Sequence, residues 1–159
     1  MDESAFRRAR DAVVPRPCVF EQALLAGACA CSLAARRNIA EREAVACDSS
    51  PAHRECAQLY ALLLQKSAFA LKLTHVELPL PHARQMKVEC GGLLGVQQAA
   101  ASAGDMPAPP VAQEPASVAD VRCLVRNCVG KFGALANLPY SAIVQSVVAY
   151  QTRRRRPEQ

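Results

Sequence analysis

Apolar positions recur at helical spacing along most of the chain. The clearest case follows segment 47–51, where Ser50 is suited to cap a helix and Pro51 to occupy its first position, because proline has no N–H to satisfy there. The predicted helix covers about 51–71. Six of its residues fall in one narrow arc at about 100° per residue; they are Cys56, Leu59, Tyr60, Leu63, Ser67 and Ala70.

Further helices are predicted on both sides of this one. A short amphipathic helix covers 3–14 and is ended by two prolines. Alanine and leucine throughout 20–37 predict a longer helix. Near the C-terminus, stripes of valine and isoleucine predict one helix after Ser117 and another after Pro139. No Asn-Gly or Asp-Gly turn lies between alternating runs, so the predicted fold class is all-α.

Two stretches interrupt the helical pattern. Gly91-Gly92 is expected to break the chain before a short helix. Segment 104–116 holds four prolines and no apolar periodicity, which predicts a linker or exposed loop. The predicted parts are a cysteine-rich helical metal-binding region over 1–103, the linker over 104–116, and a C-terminal helical pair with a basic tail over 117–159, packed on the first region.

Composition favours a soluble globular protein. Hydrophobic residues make up 51% of the chain, and aromatic residues only 4% with no tryptophan, so alanine, leucine and valine must fill the core. The net charge of +5 is largely a C-terminal run, consisting of Arg153, Arg154, Arg155 and Arg156. Such a run is more often a solvated end than a contact for nucleic acid, which is the less favoured alternative.

The chain carries no signal of export or membrane insertion. No stretch approaches the roughly 20 apolar residues of a membrane span, and the N-terminus lacks the apolar run of a signal peptide. The sequence therefore predicts a cytoplasmic protein. Thiols stay reduced in that compartment, where cysteine clusters indicate metal or redox chemistry more often than disulfides.

Five of the eight cysteines fall within 39 residues. A metal cluster needs about four thiolates from different backbone segments, because one short segment cannot surround it. Cys29 and Cys31 lie two residues apart, which on a helix is about 200°, so only one of them is expected to be a ligand. Cys31 is preferred because its helical face carries small side chains. The predicted cofactor and metal ligands are Cys18, Cys31, Cys47 and Cys56.

Other ligand sets remain open. Cys29 or Cys90 could supply a ligand instead, and the backbone N–H groups of Gly91 and Gly92 could donate to cluster sulfides. A catalytic thiol at Cys90, activated by His82, is a less favoured interpretation.

The simplest alternative is that the cysteines are small core hydrophobes. This is what we expect of Cys123 and Cys128, five residues apart on one predicted helix.

The spacing bears on the identity of the metal. Zinc sites usually bring ligands in pairs two to four residues apart, but the chain has no Cys-x2-Cys, and the histidines His53, His75 and His82 are unpaired. His53 and His75 are expected to face solvent. Wide, unpaired spacing fits a larger [4Fe–4S] cluster better, although it matches neither ferredoxin pattern. The predicted cofactor is a [4Fe–4S] cluster, with zinc as the alternative.

The predicted function is that of a cytoplasmic iron–sulfur protein with a role in electron transfer, redox sensing or as an accessory to a redox complex, with a protein redox partner. Phosphate-binding glycine loops, Gly-x-Ser-x-Gly and His-Glu-x-x-His are absent, so no catalytic residue is predicted and a non-enzymatic role is favoured. The alternatives are a helical adaptor with structural zinc or buried cysteines, and a cluster-containing nucleic-acid-binding regulator.

Overall fold

The computed structural model describes residues 2–73, 80–103 and 117–151. Within them, seven α-helices and a two-stranded antiparallel sheet follow one another along the chain. The prediction of an all-α fold is therefore wrong. The elements are α1 (Glu3–Val13), α2 (Glu21–Leu25), β1 (Ala34–Ile39), β2 (Arg42–Cys47), α3 (Ser50–Ser67), α4 (His82–Met86), α5 (Gly92–Ser102), α6 (Val121–Phe132) and α7 (Tyr140–Ala149), with a π-helical turn at Lys87–Gly91 and a 3-10 turn at Leu135–Asn137.

The helix predicted over 20–37 is wrong beyond its first turns: residues 26–33 form a loop, and 34–37 belong to the first strand of a β-hairpin. Helix α2 ends after five residues, and Gly27 then adopts a positive φ of 77° that takes the chain out of helical geometry. β1 and β2 pair from Ala34 opposite Cys47 to Ile39 opposite Arg42. The residues preceding α2 extend this pairing, because the N–H of Cys18 donates to the carbonyl of Val45 at 2.8 Å. Tertiary pairing here overrides the helical propensity of the alanines.

Helix α1 covers one face of the hairpin. Phe6 and Val14 form a small apolar cluster with Ile39 and Ala44. The Arg42 guanidinium lies over the Phe6 ring, 3.9 Å from its centroid, and also contacts the Glu3 carboxylate at 3.0 Å. The N-terminal helix thus packs on the sheet rather than on the main helical core.

Helix α3 is the central helix, close to where the sequence predicts it. The Ser49 hydroxyl accepts from the N–H of Ala52 at 3.3 Å, so Ser49 rather than Ser50 is the N-cap. Pro51 lies in the first turn as predicted. Leu59 and Leu63 are fully buried beneath neighbouring helices. The helix ends at Ser67 instead of continuing to about residue 71.

The Gly91-Gly92 pair does not break the chain, and that prediction is wrong. Helix α4, the π-helical turn and α5 form one continuous helical run over 82–102. A Cβ added at Gly91 would lie 2.7 Å from the Ser146 carbonyl oxygen, and one at Gly92 would lie 2.8 Å from a methyl group of Leu63. The glycines therefore let α7 and α3 approach this run closely.

The two C-terminal helices, α6 and α7, pack against α5 and α3. Asp120 caps α6, whose first residue is Val121. Gly133, at a φ of 83°, ends the helix. The predicted linker over 104–116 and the arginine run lie outside the described residues, as does His75.

The main core contains side chains from the hairpin and from every helix except α1. Its largest fully buried side chains include Phe20, Leu59, Leu63, Leu93 and Ile143. This core is closed by apolar packing between helices, and the described ranges contain no group of three or more His, Cys, Asp or Glu side chains placed to hold a metal ion. The prediction of a fold built around a metal centre is therefore wrong: the fold is built around its helix packing. Within the same ranges, no helix has the length and apolar character needed to cross a membrane.

Candidate metal centre

Four of the cysteines lie on the wall of one small cavity at the junction of the hairpin, α3 and α6. They are Cys18, Cys31, Cys47 and Cys56. Each comes from a different segment: the loop before α2, the loop before β1, the last residue of β2, and the second turn of α3. The structure thus brings together all four residues of the preferred ligand set.

Backbone hydrogen bonds fix three of these cysteines. The N–H of Cys18 donates to Val45 and the N–H of Cys47 donates to Arg16 at 2.9 Å, so the segments of Cys18 and Cys47 run side by side. The carbonyl of Cys31 accepts from the N–H of Ala34 at 3.1 Å, at the start of β1. The hairpin, which the sequence did not predict, is therefore what holds the first three cysteines near each other.

Helix α3 supplies the fourth cysteine. Cys56 follows the Ser49 cap by two turns, and its side chain is partly buried. The Cys47 thiol donates to the carbonyl of Ser49 at 3.3 Å, which ties the end of β2 to the beginning of α3. The loop between these two elements therefore sets the separation of Cys47 and Cys56.

The rest of the cavity wall is almost entirely apolar. Apolar side chains from six positions enclose it: Val19, Phe20, Leu24, Leu33, Ala52 and Val121. Two polar side chains, His53 and Arg122, complete it. The free volume is about 20 Å³, room for roughly one water molecule. A group larger than a water would require the cysteine side chains to turn outward from the cavity centre.

Burial keeps two of the four thiols, those of Cys18 and Cys56, in the neutral form. It raises the pKa of Cys18 to about 12, to which the neighbouring thiols of Cys56, Cys31 and Cys47 also contribute, while a hydrogen bond from the Phe20 backbone lowers it. Burial likewise raises the pKa of Cys56 to about 12, with Cys31 and Cys47 raising it further and Arg122 lowering it. These two sulfurs are not reactive thiolates at neutral pH. A bound cation would favour their ionised form.

The alternative ligands lie elsewhere. Cys29 is buried beside α6, where its segment pairs with Val118, and it is not on the cavity wall. Burial raises its pKa to about 12, with Cys90 the next contribution. Cys90 is buried within the π-helical turn, and its pKa is also raised by burial. Gly91 and Gly92 face α7 and α3, not the cavity.

The remaining cysteines differ from each other. Cys128 is fully buried, in agreement with its expected role as core filler. Cys123 is exposed and donates to the Asp120 carboxylate at 3.4 Å, so the expectation of a buried side chain is wrong there.

Two further residues of the site were not found from the sequence. His53 was expected to face solvent, but it lines the cavity, and its Nε2 lies 2.9 Å from the Pro17 carbonyl oxygen. Arg122 reaches the cavity from the first turn of α6. The proximity of Cys56 and His53 on α3 was a usable signal for the histidine. No sequence pattern links Arg122 to the cysteines, because α6 reaches them only through tertiary packing.

The arrangement does not fit a single metal ion as it stands. Zinc requires sulfur ligands about 2.3 Å from one point, and in the described part of the chain no three candidate side chains converge in this way. Comparison with protein-family models, with curated proteins and with solved structures returned no match. The geometry of the site is therefore the basis for assigning a function.

Proposed function

We propose that the chain binds a [4Fe–4S] cluster through Cys18, Cys31, Cys47 and Cys56, and that the cluster serves in electron transfer, redox sensing or support of a larger redox complex. The observation that supports this proposal is the position of four thiols, from four separate segments, around one small cavity with a largely apolar wall. Four cysteine thiolates are the usual ligands of such a cluster.

The spacing of the cysteines along the chain favours a cluster over zinc. Zinc ligands usually come in pairs two to four residues apart, and the chain has no Cys-x2-Cys. The cavity is smaller than a cluster, so binding would require the side chains of the four cysteines to turn outward. A cluster would enter a fold that already has its own apolar core, so its role is chemical rather than architectural.

The chain's own residues would protect and tune such a group. Phe20, Leu24 and Val121 form part of the apolar cavity wall, which would limit the access of water to a bound cluster. Exclusion of water limits hydrolysis and oxidation of an iron–sulfur cluster, and burial is one determinant of its potential. When bound, the cluster supplies one-electron chemistry that no side chain of this site can supply.

The proposal includes a cytoplasmic location. All eight cysteines are free thiols in the structure. Free thiols persist in a reducing compartment, which is also where thiolate ligands remain available for iron.

Anaerobic reconstitution of the apoprotein with ferrous iron and sulfide tests this function. The wild type is expected to gain a broad visible absorption that bleaches on reduction, and a variant with alanine at all four ligands is not. Cys123→Ser, which alters an exposed thiol, is the matched control and should behave like the wild type. Uptake of one zinc ion and no iron by the wild type would contradict the proposal.

The same reconstituted protein can distinguish electron transfer from redox sensing. Repeated reduction and oxidation with unchanged iron content supports electron transfer. Loss of the cluster on mild oxidation, with recovery on reconstitution, supports sensing.

A further inference from the structure

A second cavity, larger than the cysteine cavity and open to solvent, is lined by residues of α1, α2, α3 and α4. We call it the α1–α4 cleft. Its volume is about 730 Å³, which is within the usual range of small-molecule sites. Cys18 and Val19 line both this cleft and the cysteine cavity, so the loop before α2 separates the two.

The arginines of the cleft already have carboxylate partners. Nη2 of Arg10 donates to Oε1 of Glu21 at 2.7 Å, and the other oxygen of Glu21 accepts from the N–H of Val45 at 2.8 Å. At the mouth of the cleft, Nε of Arg7 lies 3.6 Å from the Glu3 carboxylate. These pairs leave no buried positive charge in the cleft that calls for an anionic ligand.

Glu89 is different, because its carboxyl group is buried without a cationic partner. It is 1% exposed and accepts only from neutral donors, the Ala23 N–H at 3.2 Å and the Gln85 side-chain amide at 2.5 Å. Among the residues that the structure describes, no Lys, Arg or His side chain forms an ion pair with it. Glutamate is rarely buried to this extent unless it is paired. Its position in the π-helical turn adds to this, since such turns are rare and frequent at functional sites.

One side chain, that of Gln85, connects Glu89 to the rest of the cleft. Its amide nitrogen donates to Oε2 of Glu89, and its amide oxygen accepts from the Tyr60 hydroxyl at 2.8 Å. Gln85 is only partly buried, so rotation of this side chain alone would open Oε2 of Glu89 to the cleft. Val19 and Leu80 add apolar surface to the same wall. The cleft thus combines an anionic acceptor at its buried end with apolar sides.

We propose that the α1–α4 cleft binds a small primary amine, whose ammonium group displaces the Gln85 amide and donates to the Glu89 carboxylate while its apolar stem lies against Val19 and Leu80. The ammonium group replaces a neutral donor with a charged one, and charge-assisted hydrogen bonds are the stronger. The ligand also supplies the cation that the chain itself does not place beside Glu89. This site is independent of the function proposed for the four cysteines.

Amine binding should depend on the protonation of Glu89. Burial raises the pKa of this carboxyl to about 7, so about nine-tenths of it is ionised at pH 8 and about one-tenth at pH 6. An alkylammonium ion stays protonated over this range. Because the ligand pairs with the ionised form, its dissociation constant should be about tenfold larger at pH 6 than at pH 8.

Other ionisable groups near Glu89 have to be separated from this effect. Those that face it or share its end of the cleft are Glu21 with its partner Arg10, Cys29, Tyr60, Cys90 and His82. Burial raises the pKa of both cysteines and of the tyrosine, so these three stay neutral between pH 6 and pH 8. His82 requires a control of its own.

The test is a titration of the isotope-labelled full chain with n-hexylammonium, followed by nuclear magnetic resonance. We expect saturable shifts of the backbone amide signals of Ala23, Gln85 and Glu89 at pH 8, and about tenfold weaker binding at pH 6. The probes n-hexanoate and 1-hexanol have the same stem with a negative charge or none, and neither should produce saturable shifts at these residues.

Three variants assign the effect to one side chain. Glu89→Gln should weaken the binding of n-hexylammonium at pH 8 by at least tenfold and remove its pH dependence. Glu41→Gln is the matched control, since it makes the same charge change at an exposed position of the hairpin turn that does not line the cleft. It should bind like the wild type. His82→Gln should keep the tenfold difference between pH 6 and pH 8, and it decides the question if Glu89→Gln does not fold.

The proposal is overturned if n-hexylammonium produces no saturable shift in the wild type, or if n-hexanoate binds at the same residues equally well. It is also overturned if folded Glu89→Gln binds the amine as tightly as Glu41→Gln, or if the pH dependence disappears in His82→Gln.

Discussion

The proposed chemistry depends on individual thiols. Each lies in different surroundings, so each cysteine can be substituted and tested separately. Serine at Cys18, Cys31, Cys47 or Cys56 should each remove most of the bound iron, because a hydroxyl is a poor substitute for a thiolate. The helical content should remain, since the core is closed without them. Iron and sulfide analysis of each purified variant measures this.

Cys29→Ser distinguishes the two neighbouring candidates. Cys29 is buried away from the cavity, so this variant should lose stability and keep its iron. Loss of iron from Cys29→Ser together with full iron in Cys31→Ser would show that the ligand set is wrong.

Glu89 gives the fold a pH dependence of its own. Burial raises its pKa from 4.5 to about 7, and the nearby Glu21 raises it further, while hydrogen bonds from Gln85, Ala23 and Gln22 lower it. The folded state therefore holds this proton more tightly than the unfolded state. The contribution of Glu89 to stability is greatest below about pH 4.5 and decreases by roughly 3 kcal/mol as the pH rises from there through 7.

Urea unfolding of the wild type and Glu89→Gln at pH 5 and pH 7.5 measures this effect. Glutamine has no proton to lose in this range, so the variant should show a smaller decrease in unfolding free energy between the two pH values. Equal decreases in both proteins would show that Glu89 does not titrate as the structure indicates.

At the scale of elements, local signals explain which helices the sequence predicts. Helix α3 has a serine cap, an early proline and a continuous apolar arc, so local and tertiary preferences agree. The hairpin lacks such signals. Its turn contains Ala40 at a positive φ of 56° instead of glycine or asparagine. Its strand β2 also pairs with the segment of Cys18, a contact that local patterns do not reveal.

The candidate site, like the fold, was predictable only in part. Wide cysteine spacing was enough to select Cys18, Cys47 and Cys56, which come from separate segments and line the cavity. The reason given for preferring Cys31 over Cys29 does not hold, since neither residue lies in a helix. Cys29 and Cys31 are separated because the segment of Cys29 pairs with Val118. Val118 lies just before α6, and the packing of α6 also brings Arg122 to the site.

The close approach of α7 to the long helical run provides a test at this scale. Alanine at Gly91 would place a methyl group within 2.8 Å of the α7 backbone, so Gly91→Ala should destabilise the fold by about 1–3 kcal/mol. Gly130→Ala is the matched control, because a Cβ added at this position of α6 would have no neighbouring atom within 4 Å. That change should be neutral or stabilising by up to about 1 kcal/mol. Thermal unfolding of both variants measures the difference, and similar melting temperatures would contradict the packing described for α7.

For the whole molecule, the basic C-terminus raises the question of a polyanionic partner. Removal of residues 153–159 should leave iron content and helical content unchanged, because the core ends with α7. If the arginines bind a polyanion, truncation should weaken binding to DNA or anionic vesicles and reduce its salt dependence. Equal, negligible binding by both proteins across a salt series would remove the nucleic-acid alternative.

The metal content of the native protein tests the proposed cluster most directly. The measurement is iron, sulfide and zinc per chain after anaerobic purification from iron-replete cells. We predict about four iron and four sulfide per chain and no stoichiometric zinc, as a [4Fe–4S] cluster requires. A colourless protein with neither iron nor sulfide would contradict the account.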